Sequence, residues 1–266
     1  MGYLDDLKFA VRYLLKERFG ADEADRAIGE TANDEDALFG LYRNLVNVRE
    51  PFLASEEFFA AQDSMLAEAA KLKGIVDAIE LEPVPGNQRI CIWRGDITAL
   101  RVDAIVNAAN SQMLGCWVPG HFCIDNAIHT FAGIQLRLEC ARLMENQGYP
   151  EPTGMAKVTP AYNLPSKYVI HTVGPIANGE PSETDVQLLA NCYTSCLDAA
   201  LKLGCKSIAF CCISTGVFGF PQREAAEIAV ATVESWLAAH SDVGMRVVFD
   251  VFSEEDEVIY RGILER

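Results

Sequence analysis

The feature that most restricts the fold is an alternation of two kinds of segment between Arg89 and Leu264. Short segments rich in β-branched and other apolar residues predict strands, and longer segments with apolar residues at helical spacing predict helices. The predicted strands are Arg89–Arg94, Asp103–Asn107, Met155–Pro160, Lys167–Thr172, Ser207–Cys212 and Arg246–Phe252, and the predicted helices are Ile124–Met144, Thr184–Leu203, Arg223–Ala239 and Glu254–Leu264. This alternation predicts an α/β sandwich.

The first 82 residues follow a different pattern, which is helical throughout. Apolar residues at helical spacing predict one helix over Leu4–Phe19, a second over Leu38–Val48 after the acidic cap region Asn33–Asp36, and a third from Ser55 towards Leu81. Pro83, Pro85 and Gly86 then interrupt the pattern. We therefore predict an N-terminal helical extension over residues 1–82 and a second domain over 83–266. A partner-binding or substrate-covering role for the extension is one interpretation, and simple packing on the main domain is favoured over it.

Composition narrows the class of protein. The 266 residues include 22 basic and 38 acidic side chains, a net charge of -16, so general binding to nucleic acid is not expected. A nucleotide-sized ligand remains compatible with this charge, because backbone amides can hold phosphates without a basic patch. The N-terminus has no signal-peptide pattern, and no apolar segment approaches the length of a membrane span, so a cytoplasmic protein is expected. Nine cysteines in a reducing compartment should be free thiols or metal ligands.

Three of the potential metal ligands fall within eight residues. Cys116, His121 and Cys123 supply two thiols and an imidazole, and Pro119 and Gly120 between them disfavour regular helix. Three ligands without an evident fourth are typical of a catalytic zinc ion, which keeps one position open for water or substrate. The alternative is that these cysteines are ordinary buried thiols, because the spacing matches no standard zinc-finger pair.

Three loops follow predicted strands, where ligands gather in α/β sheets. Gly95-Asp96 offers a carboxylate, which is able to accept from a ligand amino group. The segment Asn107–Asn110 offers amides beside small residues. The segment Ile213–Pro221 offers glycines and free backbone amides at a helix entrance, which suits a diphosphate. Each loop alone also has an ordinary use as a turn.

Together, these motifs resemble the macrodomain family of ADP-ribose binders and hydrolases. The resemblance rests on Gly-Asp-Ile-Thr, Val-Asp-Ala-Ile-Val-Asn-Ala-Ala-Asn, Ile-Asp-Asn-Ala-Ile-His, His-Thr-Val-Gly-Pro and Ile-Ser-Thr-Gly-Val-Phe-Gly-Phe-Pro, in this order between about residues 90 and 252. Most hydrolytic macrodomains have a glycine-rich segment where this chain has Cys116–Cys123. In this departure and in its helical extension, the chain is similar to the zinc-dependent branch of the family.

The resemblance implies a three-layer α/β/α macrodomain with a mixed central sheet and an N-terminal helical extension. It implies a hydrolase that removes ADP-ribose from mono-ADP-ribosylated proteins by cleaving the bond between the side chain and the distal ribose. A lipoyl-carrier protein is the partner that this branch suggests. Two alternatives stay open, a non-catalytic ADP-ribose reader with structural zinc and a hydrolase of a free derivative such as O-acetyl-ADP-ribose.

Site residues follow from the same resemblance. Asp96 would bind the adenine amino group together with Ile97, and Asn110 would bind the distal ribose. Asn110 and Asp125 are the catalytic candidates, although Asp125 also fits a charge at a helix N-terminus. One Zn²⁺ would be held by Cys116, His121 and Cys123. The diphosphate and ribose would contact Ser214, Thr215, Gly216, Val217, Gly219 and Phe220.

Overall fold

The computed structural model describes residues 2–31 and 34–265. Within these ranges it contains nine strands and nine α-helices, with four helices first, then five strands, and then helices and strands singly or in pairs. The strands are β1 (Val76–Asp77), β2 (Pro83–Val84), β3 (Asn87–Arg94), β4 (Leu100–Arg101), β5 (Ala104–Ala109), β6 (Ala156–Pro160), β7 (Tyr168–Val173), β8 (Ser207–Phe210) and β9 (Arg246–Val251). The helices are α1 (Tyr3–Phe19), α2 (Ala21–Thr31), α3 (Glu35–Asn47), α4 (Glu56–Lys73), α5 (Ile124–Ala132), α6 (Ile134–Gln147), α7 (Glu183–Lys202), α8 (Gln222–Ala239) and α9 (Glu254–Leu264).

Seven of the strands form one mixed sheet in the order β2-β3-β9-β8-β5-β7-β6. The five strands from β3 to β7 in this order are parallel, whereas the edge strands β2 and β6 are antiparallel to their neighbours. Central strands such as β5 are almost wholly buried, as expected of parallel strands covered on both faces. The carboxyl ends of all five parallel strands therefore meet at one edge of the sheet.

Helices cover both faces of this sheet. The helices α7, α8 and α9 pack side by side in one layer, and α5 and α6 contact each other in the other. One continuous core of aliphatic and aromatic side chains fills the space between the layers. The predicted three-layer α/β/α arrangement with a mixed central sheet is confirmed.

The extension has its own core and is docked on α5 and α6. Helices α1, α3 and α4 pack together, and their core also contains Ile134 and Phe131 of the main domain. The buried Gln62 of α4 crosses the junction: its Oε1 accepts from the Ile134 backbone at 3.0 Å and its Nε2 donates to Gln135 at 2.7 Å. The predicted N-terminal helical region is thus present and packed.

Several predicted element bounds differ from the structure. The third helix ends at Lys73, where Gly74 has a positive φ of 83°, and β1 then pairs with β4 of the main domain. The predicted helix Ile124–Met144 is wrong as one piece, because Gly133 with φ 91° divides it into α5 and α6. Helix α2 was not predicted, since its surface is almost entirely polar. Asp34 caps α3, whereas Asn33 of the predicted cap region lies outside the described residues.

Within the described ranges, none of the helices combines the length and the apolar character needed to cross a lipid bilayer.

Candidate active site

Three loops at the carboxyl edge of the sheet carry the predicted site residues. Asp96 follows β3, the segment 213–221 follows β8, and Asn110 and the metal-ligand loop (residues 116–123) follow β5. Strands β9 and β8 lie between β3 and β5 in the sheet. The loop with Asp96 and the loop with Asn110 are therefore about three strand spacings, or roughly 14 Å, apart. This arrangement suits one elongated ligand that lies across the strand ends.

The carboxylate of Asp96 is fixed at one end of this edge. Its Oδ1 accepts from the Thr98 backbone at 2.9 Å and from Thr98 Oγ1 at 2.6 Å, and its Oδ2 accepts from Lys73 Nζ. Ile97 begins a 3₁₀ turn and buries its side chain in the core, so any ligand contact of Ile97 would come from its backbone. The exposed remainder of Asp96 faces the solvent as a hydrogen-bond acceptor.

The segment 213–221 forms a cradle of backbone amides in the middle of the edge. Within the described residues, the N–H groups of Thr215, Gly216 and Val217 meet no protein acceptor. The Phe220 amide donates to the Ser214 carbonyl at 2.9 Å, which closes the loop before α8 begins at Gln222. Successive free amides beside a helix N-terminus form an anion-binding concavity. The Phe220 side chain itself is buried and supports the loop from below.

Two contacts shape this cradle. Ser214 has a positive φ of 67°, and a Cβ atom on Gly174 would lie 2.0 Å from Ser214 Oγ. A Cβ atom on Gly219 would lie 3.2 Å from Asn178 Cα, and the Gly219 carbonyl accepts from the Gly179 amide at 2.7 Å. The loops after β7 and β8 therefore depend on glycine at their point of contact.

The metal-ligand loop brings its three predicted ligands together. One ligand atom from each of Cys116, His121 and Cys123 lies within 4.8 Å of the other two, and Cys116 Sγ is 3.5 Å from His121 Nδ1. Burial and the neighbouring Cys116 and Asp125 raise the pKa of Cys123 to about 12, although its bond from the Asn126 amide opposes this. Two thiols and an imidazole, all half-buried, match a borderline-soft cation such as Zn²⁺.

Asp125 lies directly behind the metal-ligand loop in the first turn of α5. Its oxygens accept from Asn107 Nδ2 at 2.8 Å and from Asn110 Nδ2 at 3.4 Å. Burial raises the pKa of Asp125 to about 6, while the Asn107 bond and nearby Arg137 lower it. Asp125 does lie at a helix N-terminus, as its position in the sequence indicates, but its carboxylate is buried in a polar network that includes Asn107 and Asn110.

Two buried histidines lie beneath Asp125. His171 on β7 accepts from Asn107 Nδ2 at 3.1 Å through Nδ1 and lies 3.0 Å from Thr159 Oγ1 through Nε2, and burial lowers its pKa to about 3. His129 Nε2 is 3.6 Å from Asp125, and neither ring nitrogen makes a hydrogen bond within the described chain. Burial lowers the pKa of both rings, so both are neutral in the folded protein.

Sequence comparison places the chain among known proteins. A family model described as Macro domain matches residues 106–229. A Treponema medium protein named protein-ADP-ribose hydrolase is 55% identical over 96% of this chain and 97% of its own length. The chain belongs to the macrodomain family. A Staphylococcus aureus (strain MSSA476) macrodomain relative with the same name is 46% identical over 100% of this chain and 99% of its own length.

Solved macrodomains share the fold. The Trypanosoma brucei macrodomain in complex with ADP-ribose is 34% identical and has a TM-score of 0.64, covering 83% of this chain and 94% of its own. The Oceanobacillus iheyensis macrodomain with ADP is 42% identical with a TM-score of 0.60, covering 66% of this chain and 90% of its own. The names of the full-length relatives confirm the prediction of an enzyme in the protein-ADP-ribose hydrolase group of macrodomains.

Sequence reasoning missed several residues that shape this macrodomain site. Lys73 binds Asp96 from the extension, and Asn107 lies within β5 rather than in a loop, where it holds Asp125 and His171. Phe252 follows β9 and is 84% exposed next to the Asp96 end, since Val251 pairs with Arg94. The sequence predicted Phe252 as the last residue of a strand, and its exposure is visible only in the structure.

Proposed function

We propose that this protein is a zinc-dependent hydrolase that releases ADP-ribose from mono-ADP-ribosylated proteins. The observation that carries the proposal is the cluster of Cys116, His121 and Cys123 beside the half-buried Asn110 and the buried Asp125, at the carboxyl edge of the sheet. The names of relatives that match this chain over nearly its whole length support the reaction class.

The edge supplies a separate contact for each part of ADP-ribose. The adenine would lie between β3 and β9, where its amino group donates to Asp96 and its ring stacks on Phe252. The diphosphate would accept from the free amides of Thr215, Gly216 and Val217. The distal ribose would then lie over β5, beside Asn110 and the metal-ligand loop. A ligand in this orientation presents its ribose-linked protein side chain at the metal end.

Zinc fits the donor set of the metal-ligand loop. Two cysteines and one histidine leave a tetrahedral ion one open position, and zinc bound there would act as a Lewis acid on a water molecule or a ribose hydroxyl. The raised pKa of Cys123 in the metal-free protein means that zinc binding displaces protons. Affinity for zinc should therefore strengthen as the pH rises.

Asn110 and Asp125 have distinct tasks beside the metal. Asn110 Nδ2 donates to the Gly115 carbonyl at 3.1 Å and its Oδ1 accepts from the Gln112 amide at 2.9 Å, so the side chain fixes the start of the loop next to the ribose. Asp125 is held by Asn107 and Asn110, which orients its carboxylate as an acceptor for a ribose hydroxyl or a water. Removal of the Asp125 carboxylate should slow turnover more than it weakens binding.

The decisive experiment follows ADP-ribose release from a mono-ADP-ribosylated protein by the full-length chain, with and without a zinc chelator. We expect release that stops with the chelator and returns when zinc is added. Binding of ADP-ribose without release would support the non-catalytic reader, and hydrolysis of only O-acetyl-ADP-ribose would support the enzyme for a free derivative. A lipoyl-carrier protein as the modified partner stays a prediction, which the same assay tests by comparing ADP-ribosylated lipoyl-carrier protein with other modified proteins.

A further inference from the structure

We infer that helix α3 of the N-terminal extension completes the metal centre, with Arg43 and Asn47 as positioning residues for the metal-ligand loop. The inference rests on the proposed zinc site. It differs from simple packing of the extension, because polar side chains of α3 reach over to the backbone between the ligands.

The side chain of Arg43 bonds to both the metal-ligand loop and α5. Its Nε donates to Asn126 Oδ1 at 2.9 Å and its Nη2 donates to the carbonyl of the metal ligand His121 at 3.0 Å. The guanidinium also lies 5.3 Å from the ring centroid of Phe122, the next residue in the loop. One side chain of the extension thus fixes the peptide that carries the histidine ligand.

Asn47, one helical turn further along α3, contacts the other half of the loop. Its Oδ1 accepts from the Gly120 amide at 3.2 Å and from Asn126 Nδ2 at 2.7 Å. Gly120 has a positive φ of 65°, so the hydrogen bond holds the residue before His121 in a left-handed turn.

Asn126 connects these contacts to a second ligand. Its side chain is fully buried and bonded to both Arg43 and Asn47, and its Nδ2 also donates to the Val118 carbonyl at 3.3 Å. Its backbone amide donates to Cys123 Sγ at 3.4 Å. The network therefore reaches both His121 and Cys123.

A second arginine contacts both the end of α3 and the start of the loop. Arg137 of α6 donates through Nη1 to the carbonyls of Val46, Asn47 and Arg49, at 2.8 to 3.0 Å. Its guanidinium lies 4.3 Å from the ring of Trp117, beside the ligand Cys116. Arg43, Asn47 and Arg137 thus connect the end of α3 to His121, Gly120 and Trp117 of the loop.

The loop needs these bonds because hydrophobic packing does not hold it. Phe122 is 88% exposed and Val118 is 57% exposed, so the side chains between the ligands project into solvent. Residues that orient metal ligands from a second layer commonly change metal affinity by about 10- to 100-fold when they are removed. Arg43 and Asn47 occupy this layer although they lie more than 70 positions from the ligands they support.

The test measures zinc affinity of full-length variants by competition with a chromophoric chelator. Arg43→Met and Asn47→Leu keep most of the side-chain volume and remove the hydrogen bonds. We expect each to weaken zinc binding by about 10- to 100-fold. The double variant should lose less zinc affinity than the product of the two single-variant losses, because both side chains act through Asn126.

Arg49→Gln is the matched control. Arg49 is another arginine of the extension, more deeply buried than Arg43, but its side chain binds Glu17 and the Phe52 carbonyl, away from the loop. This variant should lower the melting temperature and leave zinc affinity unchanged. Circular dichroism and thermal unfolding establish that every variant is folded at the temperature of the titration.

The outcomes separate the inference from the proposed zinc site. Failure of the wild-type chain to bind one zinc ion would overturn the zinc site itself. Tight zinc binding by the wild type together with unchanged affinity in folded Arg43→Met and Asn47→Leu would overturn the positioning role alone. An equal loss of affinity in Arg49→Gln would also overturn it, because general weakening of the extension would then explain the effect.

Discussion

The ammonium group of Lys73, at the last position of α4, donates to Oδ2 of Asp96 in the loop after β3. Thr98 occupies Oδ1 through two hydrogen bonds. An adenine amino group that binds this carboxylate must therefore share Oδ2 with Lys73. The extension thus contacts the two ends of the proposed ligand-binding edge, through Lys73 at one end and α3 at the other.

Replacement of Asp96 by Ala should weaken ADP-ribose binding by about 1.5 to 3 kcal/mol, because a charged acceptor for the adenine is lost. Calorimetry of the full-length protein measures this. Lys73→Met is the control, since the Asp96 carboxylate and its Thr98 bonds remain, and its affinity should be at least that of the wild type. Unchanged affinity in a folded Asp96→Ala variant would remove Asp96 from the adenine contact.

Replacement of Cys123 by Ala should reduce the rate of ADP-ribose release from modified protein a hundredfold or more. The loss of zinc should remove several kcal/mol of transition-state stabilisation, and about 1.4 kcal/mol corresponds to a tenfold change in rate. The far-ultraviolet circular dichroism should be retained, since the sheet and its core form without the loop. Cys205→Ala, at the opposite edge of the sheet before β8, is the thiol control. Full activity of a metal-free Cys123→Ala protein would refute the catalytic role, and unfolding of the wild type on chelation would favour a structural zinc.

Replacement of Gly174 by Ala should cost about 1 to 3 kcal/mol of folding free energy and weaken ADP-ribose binding, because the new Cβ would overlap Ser214 Oγ. Chemical denaturation and calorimetry report the two effects. Gly244→Ala, where a Cβ meets nothing within 4 Å, should be neutral in both. A Gly174→Ala protein with wild-type stability and affinity would show that the loops after β7 and β8 shift apart without cost.

Acid should destabilise the protein through His171. Burial lowers its pKa from 6.5 to about 3, so the folded state favours the neutral ring. The resulting stability is fully present above pH 6.5 and is lost as the pH falls from 6.5 towards 3, by a few kcal/mol. His171→Asn keeps an acceptor for Asn107 without an ionisable ring, so its stability should vary less with pH over this window. Parallel curves for the two proteins, measured by denaturant unfolding, would contradict the assignment.

The junction between the extension and the macrodomain should depend on Gln62. Its Oε1 accepts from both Tyr42 and the Ile134 amide, so Gln62→Ala leaves buried groups without partners, at about 1 to 3 kcal/mol each. Limited proteolysis of the wild type should release no stable fragment that starts near Pro83, whereas the variant should be cut there faster. Rapid release of such a fragment from the wild type would show that the extension is only tethered.

The sequence by itself determined the features that depend on local order. The two periodicities separate the strands from the helices, because a buried strand and an amphipathic helix impose different spacings on apolar residues. The three metal ligands fall within eight residues, so their proximity follows from the chain itself. The succession of loops with Asp96, Asn110 and Gly216 follows from the same rule, since parallel strands bring their carboxyl ends to one edge.

The tertiary structure decided what joins distant parts of the chain. Gly133 separates α5 from α6 because it has a positive φ and because Gln62 of α4 lies close to it. The spacing of apolar residues does not reveal this break between the two helices. Asp125 has the sequence position of a surface charge, and only the packing of α5 on β5 turns it into a buried carboxylate with a raised pKa. Arg43, Asn47 and Lys73 are ordinary polar residues of predicted helices until docking places them at the site. Hydrogen bonds between segments 70 or more residues apart depend on three-dimensional packing, and the local spacing of residues in the sequence does not predict them.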